Sequence, residues 1–188
     1  MDMKKAVVNG QEISGEAVGF ELDRLVRFYT SHGMAQDEVK KSLPVLEEKA
    51  LEQAIGAKLL LDRASQIELP VTSADVDAEV RKVVSQVGGE DNYRKALAAQ
   101  GVTEAEFRKK VEKGVRVNML VAQACSHVPD PTEEEVAAFY EANKACWGAQ
   151  TLVDVHDRIK DLLRHESRGR AVEAFVAELR EKAAVEYR

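Results

Sequence analysis

The sequence is poor in cysteine, proline and aromatic residues. Its 188 residues include two cysteines and four prolines, and only 5% are aromatic. Cys125 and Cys146 are too few for a disulfide framework, and their spacing matches no metal or redox motif, although it leaves a single bridge open. The sequence therefore predicts no covalent or metal-based scaffold.

A surplus of positive charge is also absent. Lys and Arg number 27 against 33 Asp and Glu, which gives a net charge of −6. Because nucleic-acid binding relies on basic residues that displace counterions from phosphates, we expect no nucleic acid among the partners. No apolar run approaches the ~18 residues of a transmembrane helix, and Met1 to Gly10 lacks the apolar core of a signal peptide. We expect neither a membrane span nor a signal peptide in this chain.

The abundant residues favour helix. Hydrophobic residues make up 45% of the chain and charged residues 32%. Ala, Leu, Glu, Lys and Arg, which lose little side-chain freedom in a helix, are common, so the composition predicts a mainly α fold and argues against an all-β sandwich. Pro44 is expected to open the main part of the second helix. Apolar spacing and capping residues predict helices that begin near Ser14, Asp37, Thr72 or Ser73, Tyr93, Thr103, Thr132 and Thr151.

Two extended segments lie at opposite ends of the chain. Residues 5–14 read as two short strands around an Asn9-Gly10 turn, and residues 184–188 as a short strand after the last helix. A lone strand cannot satisfy its backbone hydrogen bonds. We therefore predict that the two ends pair in one small sheet.

The familiar catalytic motifs do not occur. The sequence contains no P-loop, GxGxxG, nucleophile elbow, HExxH or CxxC pair. Asp157, Asp161 and His165 share one predicted helix face, but interleaved basic residues favour a solvated face over a metal site. Cys125 and His127 are two residues apart and point to different faces, so a structural cysteine is favoured over a nucleophile. We expect no catalytic residue, no metal ligand and no cofactor.

Four phrases in a fixed order resemble a known family. They are VVNGQEIS near the start, ALEQAIGAKLLLDRASQIELPVTSADVDAEV at 50–80, AAQGVTEAEFRKKVEKGVRVNMLV at 98–121 and VPDPTEEEVAAFYEANK at 128–144. Each phrase alone is a weak signal, but their order and spacing closely resemble the core chaperone module of SurA-type foldases, the parvulin-type peptidyl-prolyl isomerases of the bacterial cell envelope. The resemblance covers residues 6–144.

In that family a parvulin domain follows the last of these phrases, and a long helix and terminal strand come after it. In this sequence residues 145–150 alone separate that phrase from a segment similar to the closing helix and strand. The resemblance therefore implies three parts: residues 1–144 as the N-terminal chaperone region, 145–150 as the place where a parvulin domain would be inserted, and 151–188 as the helix and strand that complete the module. Whether the parvulin domain was lost naturally or by design is left open.

The resemblance implies a mainly α, SurA- or trigger-factor-like module that binds unfolded or partly folded polypeptides without ATP, in the periplasm or cell envelope. Three alternatives stay open: a cytoplasmic location, a prolyl isomerase, and an assembly protein that dimerises by exchanging its C-terminal helix. Candidate client contacts are Met34, a flexible thioether in a loop, and Phe139 and Trp147, which flank the short connection. For each of the three, ordinary core packing is the competing interpretation.

Overall fold

The two ends of the chain meet in a three-stranded antiparallel sheet. A computed structural model describes residues 5–188, and in it β1 (Ala6–Val8) lies between β2 (Gln11–Glu12) and β3 (Val185–Tyr187). The register places Ala6 opposite Tyr187 and Val8 opposite Val185. All three residues of β1 are buried. The predicted pairing of the chain ends is confirmed.

The remaining architecture is helical, as the composition predicts. Seven α-helices occur within residues 5–188, and a short 3-10 helix, Lys144–Cys146, precedes the last of them. The helices are α1 (Gly15–Ser31), α2 (Gln36–Gln66), α3 (Ser73–Gln86), α4 (Glu90–Ala99), α5 (Glu104–Ala124), α6 (Glu133–Ala142) and α7 (Leu152–Glu181).

Capping residues set most helix starts. The Ser14 hydroxyl accepts a hydrogen bond from the backbone N–H of Ala17, and Thr72 does the same for Asp75, whose carboxylate accepts from the Thr72 N–H in return. The same reciprocal capping box forms at the starts of α5 and α6. These caps satisfy backbone donors that a helix start leaves unpaired, so they fix where each helix begins.

One expected helix boundary is wrong. Pro44 lies inside α2, which runs without a break from Gln36. Proline removes one hydrogen bond of the helix, to the carbonyl of the residue four earlier. Val39 and Leu46 are both buried, so core packing on either side of Pro44 holds the helix together across the missing bond.

The described chain divides into two compact units. The first extends to Leu120 and takes in Val176–Arg188, and the second is Val121–Phe175. The unit boundaries fall inside α5 and α7, away from residues 145–150. The assignment of residues 145–150 as the place of a missing domain stays a prediction, and residues 1–4 of the predicted N-terminal region lie outside the described residues.

Each unit has its own apolar core. In the first unit, the buried faces of β1, α1 and α2 form one cluster, and α3, α4 and α5 form another around Val76, Val80 and Tyr93. In the second unit, α6 and the first half of α7 pack around Val136, Tyr140, Val155 and Ile159.

Candidate functional site

An apolar groove lies between α1 and α2 in the first unit. It has a volume of about 390 Å³, near the lower end of the range of ligand sites, about 300–1,000 Å³. Three alanines of the two helices keep the groove open because their side chains are short. Its lining residues are Glu12, Ile13, Ser14, Ala17, Phe20, Glu21, Ala54, Ala57, Lys58 and Leu61. We call this the α1–α2 groove.

Two large apolar side chains of the groove are exposed. Phe20 is 63% exposed and Leu61 is 41% exposed. Phe20 lies off the stripe of α1 that includes the buried Val18 and that packs on α2, so its ring remains at the surface. Exposed large apolar side chains beside an open cavity are typical of a binding surface.

Acidic and basic side chains also line the groove. Lys58 donates a hydrogen bond to Asp62 one turn along α2, so its charge is compensated within the helix. Glu12 lies 3.4 Å from the ammonium of Lys5, and both side chains are more than half exposed. Glu21 differs from these residues, because it is 8% exposed. The groove is therefore apolar with one buried carboxylate.

A second cavity lies within the second unit, with a volume of about 430 Å³. The loop at 128–131, α6 and α7 enclose it, and Phe139 and Leu163 are among its apolar side chains. Glu135 and Arg170 contribute opposite charges to its lining. We call this the α6–α7 cavity.

Ion pairs hold the loop and α6 against α7 beside this cavity. The guanidinium of Arg164 donates to Asp130 in the loop at 2.8 Å. Glu133, in the first turn of α6, lies 2.8 Å from the ammonium of Lys160 and 2.6 Å from Nε2 of His156. The bonds from Lys160 and His156 lower the pKa of Glu133 to about 2. Hydrogen bonds to Asp157 and Glu133 in turn raise the pKa of His156. These contacts join three segments of the second unit.

The structure separates the three predicted contact residues. Met34 is half-buried in the loop after α1, in the first unit, while Phe139 and Trp147 are half-buried in the second unit and pack against its core. Of the three, only Phe139 lines the α6–α7 cavity. The guanidinium of Arg158 lies over the Trp147 ring, with 5.3 Å between Cζ and the ring centroid. Client contact stays a prediction for all three.

The other residues singled out in the sequence do not line the α1–α2 groove or the α6–α7 cavity. Asp161 is exposed and pairs with Arg164, and His165 is exposed on the same helix. No group of three metal-binding side chains occurs in the part of the chain that the structure describes. Cys125 is half-buried, Cys146 is exposed, and both are free thiols, which answers the question of a bridge.

Sequence reasoning missed the α1–α2 groove. Leu61 of α2 lies at the groove and is partly exposed. Phe20 could have indicated the groove, because it is a large aromatic residue outside the helical spacing of Val18, Leu22 and Leu25 and is therefore expected at the surface.

The sequence matches a known family model. The model described as the SurA-like N-terminal domain matches residues 2–121. A Chaperone SurA of Nitrosospira multiformis is 27% identical over 190 residues, covering 97% of this chain and 42% of that protein. A Chaperone SurA of Xanthomonas campestris is 31% identical over 101 residues, and a Trigger factor of Corynebacterium jeikeium 32% over 114, each alignment covering 53% of this chain and 22% of the relative. The chain thus spans less than half the length of these relatives.

A solved structure has the same fold. It comes from work on the virulence factor PEB4 and the periplasmic protein Cj1289 of Campylobacter jejuni, two structurally related SurA-like chaperones. The TM-score is 0.60 at 14% identity, and the superposition covers 100% of this chain and 99% of that chain. At this identity the likeness concerns the fold.

No helix within the described residues is both long and apolar enough to cross a membrane.

Proposed function

The chain belongs to the SurA-like N-terminal domain family, and from this we propose that it is an ATP-independent chaperone module for unfolded or partly folded polypeptides. The observation that carries the proposal is the α1–α2 groove, in which Phe20 and Leu61 remain exposed at an apolar cavity. An unfolded client presents apolar side chains that a folded protein buries. A groove of this kind can take such side chains one or two at a time, without recognising a particular sequence.

The α6–α7 cavity gives the second unit a surface of similar chemistry. It combines apolar side chains with a few charged ones, and Phe139 is common to the cavity and the edge of the unit's core. Two weak sites on one chain can hold an extended client more firmly than either alone, because the second contact becomes intramolecular. On these grounds we include Phe139 among the proposed client contacts. Trp147 is included because it packs at the edge of the same core, and Met34 because it is a flexible thioether in a loop of the first unit.

An aggregation assay tests the proposed function. A chemically denatured client is diluted into buffer with or without the chain, and light scattering is followed in the absence of nucleotide. We expect suppression at roughly equal molar amounts and no further effect of added ATP. Normal aggregation of several unrelated clients at a several-fold molar excess of the chain would contradict the proposal.

We propose further that the chain does not catalyse prolyl isomerisation. Only residues 143–151 lie between α6 and α7, which leaves no room there for the parvulin domain that the resemblance implies in longer relatives. A proline-limited peptide assay is expected to give the uncatalysed rate. A rate that increases in proportion to the concentration of the chain would favour the isomerase alternative.

The assembly state and the compartment are also proposals. In the structure β3 pairs with β1 of the same chain, and an exchange of α7 between two chains would form the same contacts in a dimer. Light scattering coupled to size exclusion across a range of concentrations tests this, because a strictly monomeric species rules the exchange out. We place the protein in the periplasm or cell envelope, with the cytoplasm as the alternative, and fractionation of the producing cell decides between them.

A further inference from the structure

We propose that the outer edge of β2 binds an extended client segment as a fourth strand of the sheet, with apolar side chains of that segment in the α1–α2 groove. This inference rests on the proposed function and adds to it the conformation and the side-chain pattern of the bound segment. Its starting point is a place where two features meet. Glu12 and Ile13 line the groove, and Glu12 is also the last residue of β2, which lies at one edge of the sheet.

The backbone of Glu12 is directed away from the sheet. β2 pairs with β1 on one side only, and Glu12 lies opposite Val7. The N–H of the next residue, Ile13, donates to the C=O of Ala6 in β1 at 2.9 Å. In an antiparallel pair the backbone groups of successive residues point alternately toward the partner strand and away from it. Because those of Ile13 point toward β1, those of Glu12 point outward.

These outward groups have no partner within residues 5–188. Neither the N–H nor the C=O of Glu12 forms a hydrogen bond there, and the N–H of Ser14, the next outward donor, is unpaired as well. The Ser14 C=O, by contrast, accepts a hydrogen bond from the N–H of Ala17, so the open row ends where α1 begins. Both residues of β2 are exposed. An exposed edge with unpaired backbone groups is a template on which another extended segment can pair.

The added segment is antiparallel to β2 in our assignment. Its residue opposite Glu12 exchanges two hydrogen bonds with Glu12, and the C=O two residues earlier accepts from the N–H of Ser14. Antiparallel pairing is slightly more stable per residue than parallel pairing, and both existing pairings of this sheet are antiparallel. These bonds involve backbone groups alone, so they are available to clients of any sequence.

The register divides the side chains of the segment into two sets. Successive side chains of a strand point to opposite faces of the sheet, and residues directly opposite each other share a face. Ile13 belongs with Ala6 and Val8 to the cluster that packs on α1 and α2. A client residue opposite Ile13 therefore directs its side chain toward the groove, whereas the residue opposite Glu12 directs its side chain to the other face. We expect bound segments to alternate apolar and polar side chains.

N-methylated peptides test this pairing, because a methyl group on an amide removes its donor. Each labelled peptide has blocked ends and alternates an apolar residue, Leu or Val, with Thr in equal numbers. In the proposed register the Thr amides face β2, and the amides of the apolar residues face away from it. One peptide is unmodified, a second is methylated on every Thr amide, and a third on every Leu and Val amide.

We expect the peptide methylated at Thr to bind the full chain about tenfold more weakly than the peptide methylated at Leu and Val. The two peptides have the same composition and the same number of methyl groups. They differ only in which edge of the segment keeps its donors, so the difference in affinity measures pairing with β2.

Glu12→Pro tests the same edge from the protein side. Proline removes the outward N–H and places its ring at the edge, a position at which sheets tolerate proline. Glu12→Gln is the reference, because it removes the same carboxylate and keeps the N–H. We expect the unmodified peptide to bind Glu12→Pro about fivefold more weakly than Glu12→Gln. Circular dichroism checks that the two variants have the same helix content.

The outcomes separate this inference from the proposed function. Equal binding of the two methylated peptides overturns the inference, because a groove that contacts only side chains does not distinguish them. A larger loss for the peptide methylated at Leu and Val overturns it too, since that pattern requires a different register. Both comparisons use the unaltered chain and need no variant to fold. Failure to suppress aggregation, by contrast, contradicts the proposed function itself.

Discussion

Tyr187 in the last strand donates a hydrogen bond to Glu52 in α2, with 2.6 Å between Oη and Oε1. The guanidinium of Arg180, near the end of α7, donates to the other carboxylate oxygen of Glu52. The end of α7 and the strand β3 therefore both contact α2, which lies more than 100 residues earlier in the sequence, at one side chain. Hydrogen bonds from both donors lower the pKa of Glu52 against the opposing effect of burial, which is the largest single influence on it.

Removal of the Tyr187 hydroxyl should loosen the C-terminal strand. We expect Tyr187→Phe to lower the free energy of unfolding of the first unit by about 1 kcal/mol, because the hydroxyl loses both the hydrogen bond that it donates to Glu52 and the one that it accepts from Arg180, at a partly exposed site. Urea unfolding followed by circular dichroism measures this. In the double variant with Glu52→Gln the effect of Tyr187→Phe should become smaller, and full additivity would show that the two residues do not interact.

The second unit should be most stable in weakly acidic solution. The pKa of Glu133 is lowered from 4.5 to about 2, so its contribution is present above pH 4.5 and disappears as the pH falls toward 2. The pKa of His156 is raised from 6.5, so its contribution is present below pH 6.5 and disappears as the pH rises through the higher value. The contacts of both residues are therefore intact between pH 4.5 and 6.5.

Trp147 makes this pH dependence measurable, because it is the only tryptophan and packs against the core of the second unit. We expect the urea concentration at the midpoint of unfolding, followed by Trp147 fluorescence, to decrease as the pH is raised from 5.5 to 8.5. His156→Gln should remove most of that decrease, whereas Lys160, which also contacts Glu133, stays charged throughout this range. An unchanged slope in the variant would assign the pH dependence to other groups.

Loss of the exposed Phe20 ring should weaken client binding. We expect Phe20→Ser to cost about 1 kcal/mol, roughly fivefold in affinity, because less apolar surface is buried with the client. Val153→Ser is the matched control, since Val153 is 86% exposed and does not line the α1–α2 groove or the α6–α7 cavity. Titration of a labelled unfolded client compares the two variants, and equal losses would show that general surface hydrophobicity is responsible.

Truncation of a buried residue of α7 should destabilise the second unit. Ile159 is completely buried, and Ile159→Ala should lower the unfolding free energy by about 2–5 kcal/mol through a cavity. Leu162 on the same helix is 40% exposed, so Leu162→Ala should cost far less. Trp147 fluorescence reports both transitions. Similar losses in the two variants would indicate that α7 packs differently.

The features that sequence reasoning predicted are those that depend on local chemistry or on unavoidable hydrogen bonding. The caps at Thr72, Thr103 and Thr132 follow from residues three positions apart. The pairing of the chain ends follows because β1 needs partners on both edges and the sequence has few other strands.

The features that were missed depend on packing between distant residues. Pro44 is typical of a helix start, but α2 continues through this position because residues on both sides of Pro44 are buried in the core. The exposure of Phe20 and Leu61 depends on how α1 lies across α2, which the periodicity of either helix alone does not specify. The unit boundaries are hidden for a similar reason, because they fall inside helices whose sequence pattern shows no break.

The position of β1 in the middle of the sheet also sets an order of events during synthesis. The Asn9 side chain accepts a hydrogen bond from the N–H of Ala184, which lies 175 residues later in the chain. While the ribosome extends the protein, α1 and α2 can pair as soon as both have emerged, because they are neighbours in sequence. β1, by contrast, keeps one edge without its partner until residues 185–187 arrive. β1 is therefore synthesised well before its second edge is paired, and a nascent chain carries an open β-edge until residues 185–187 have been made.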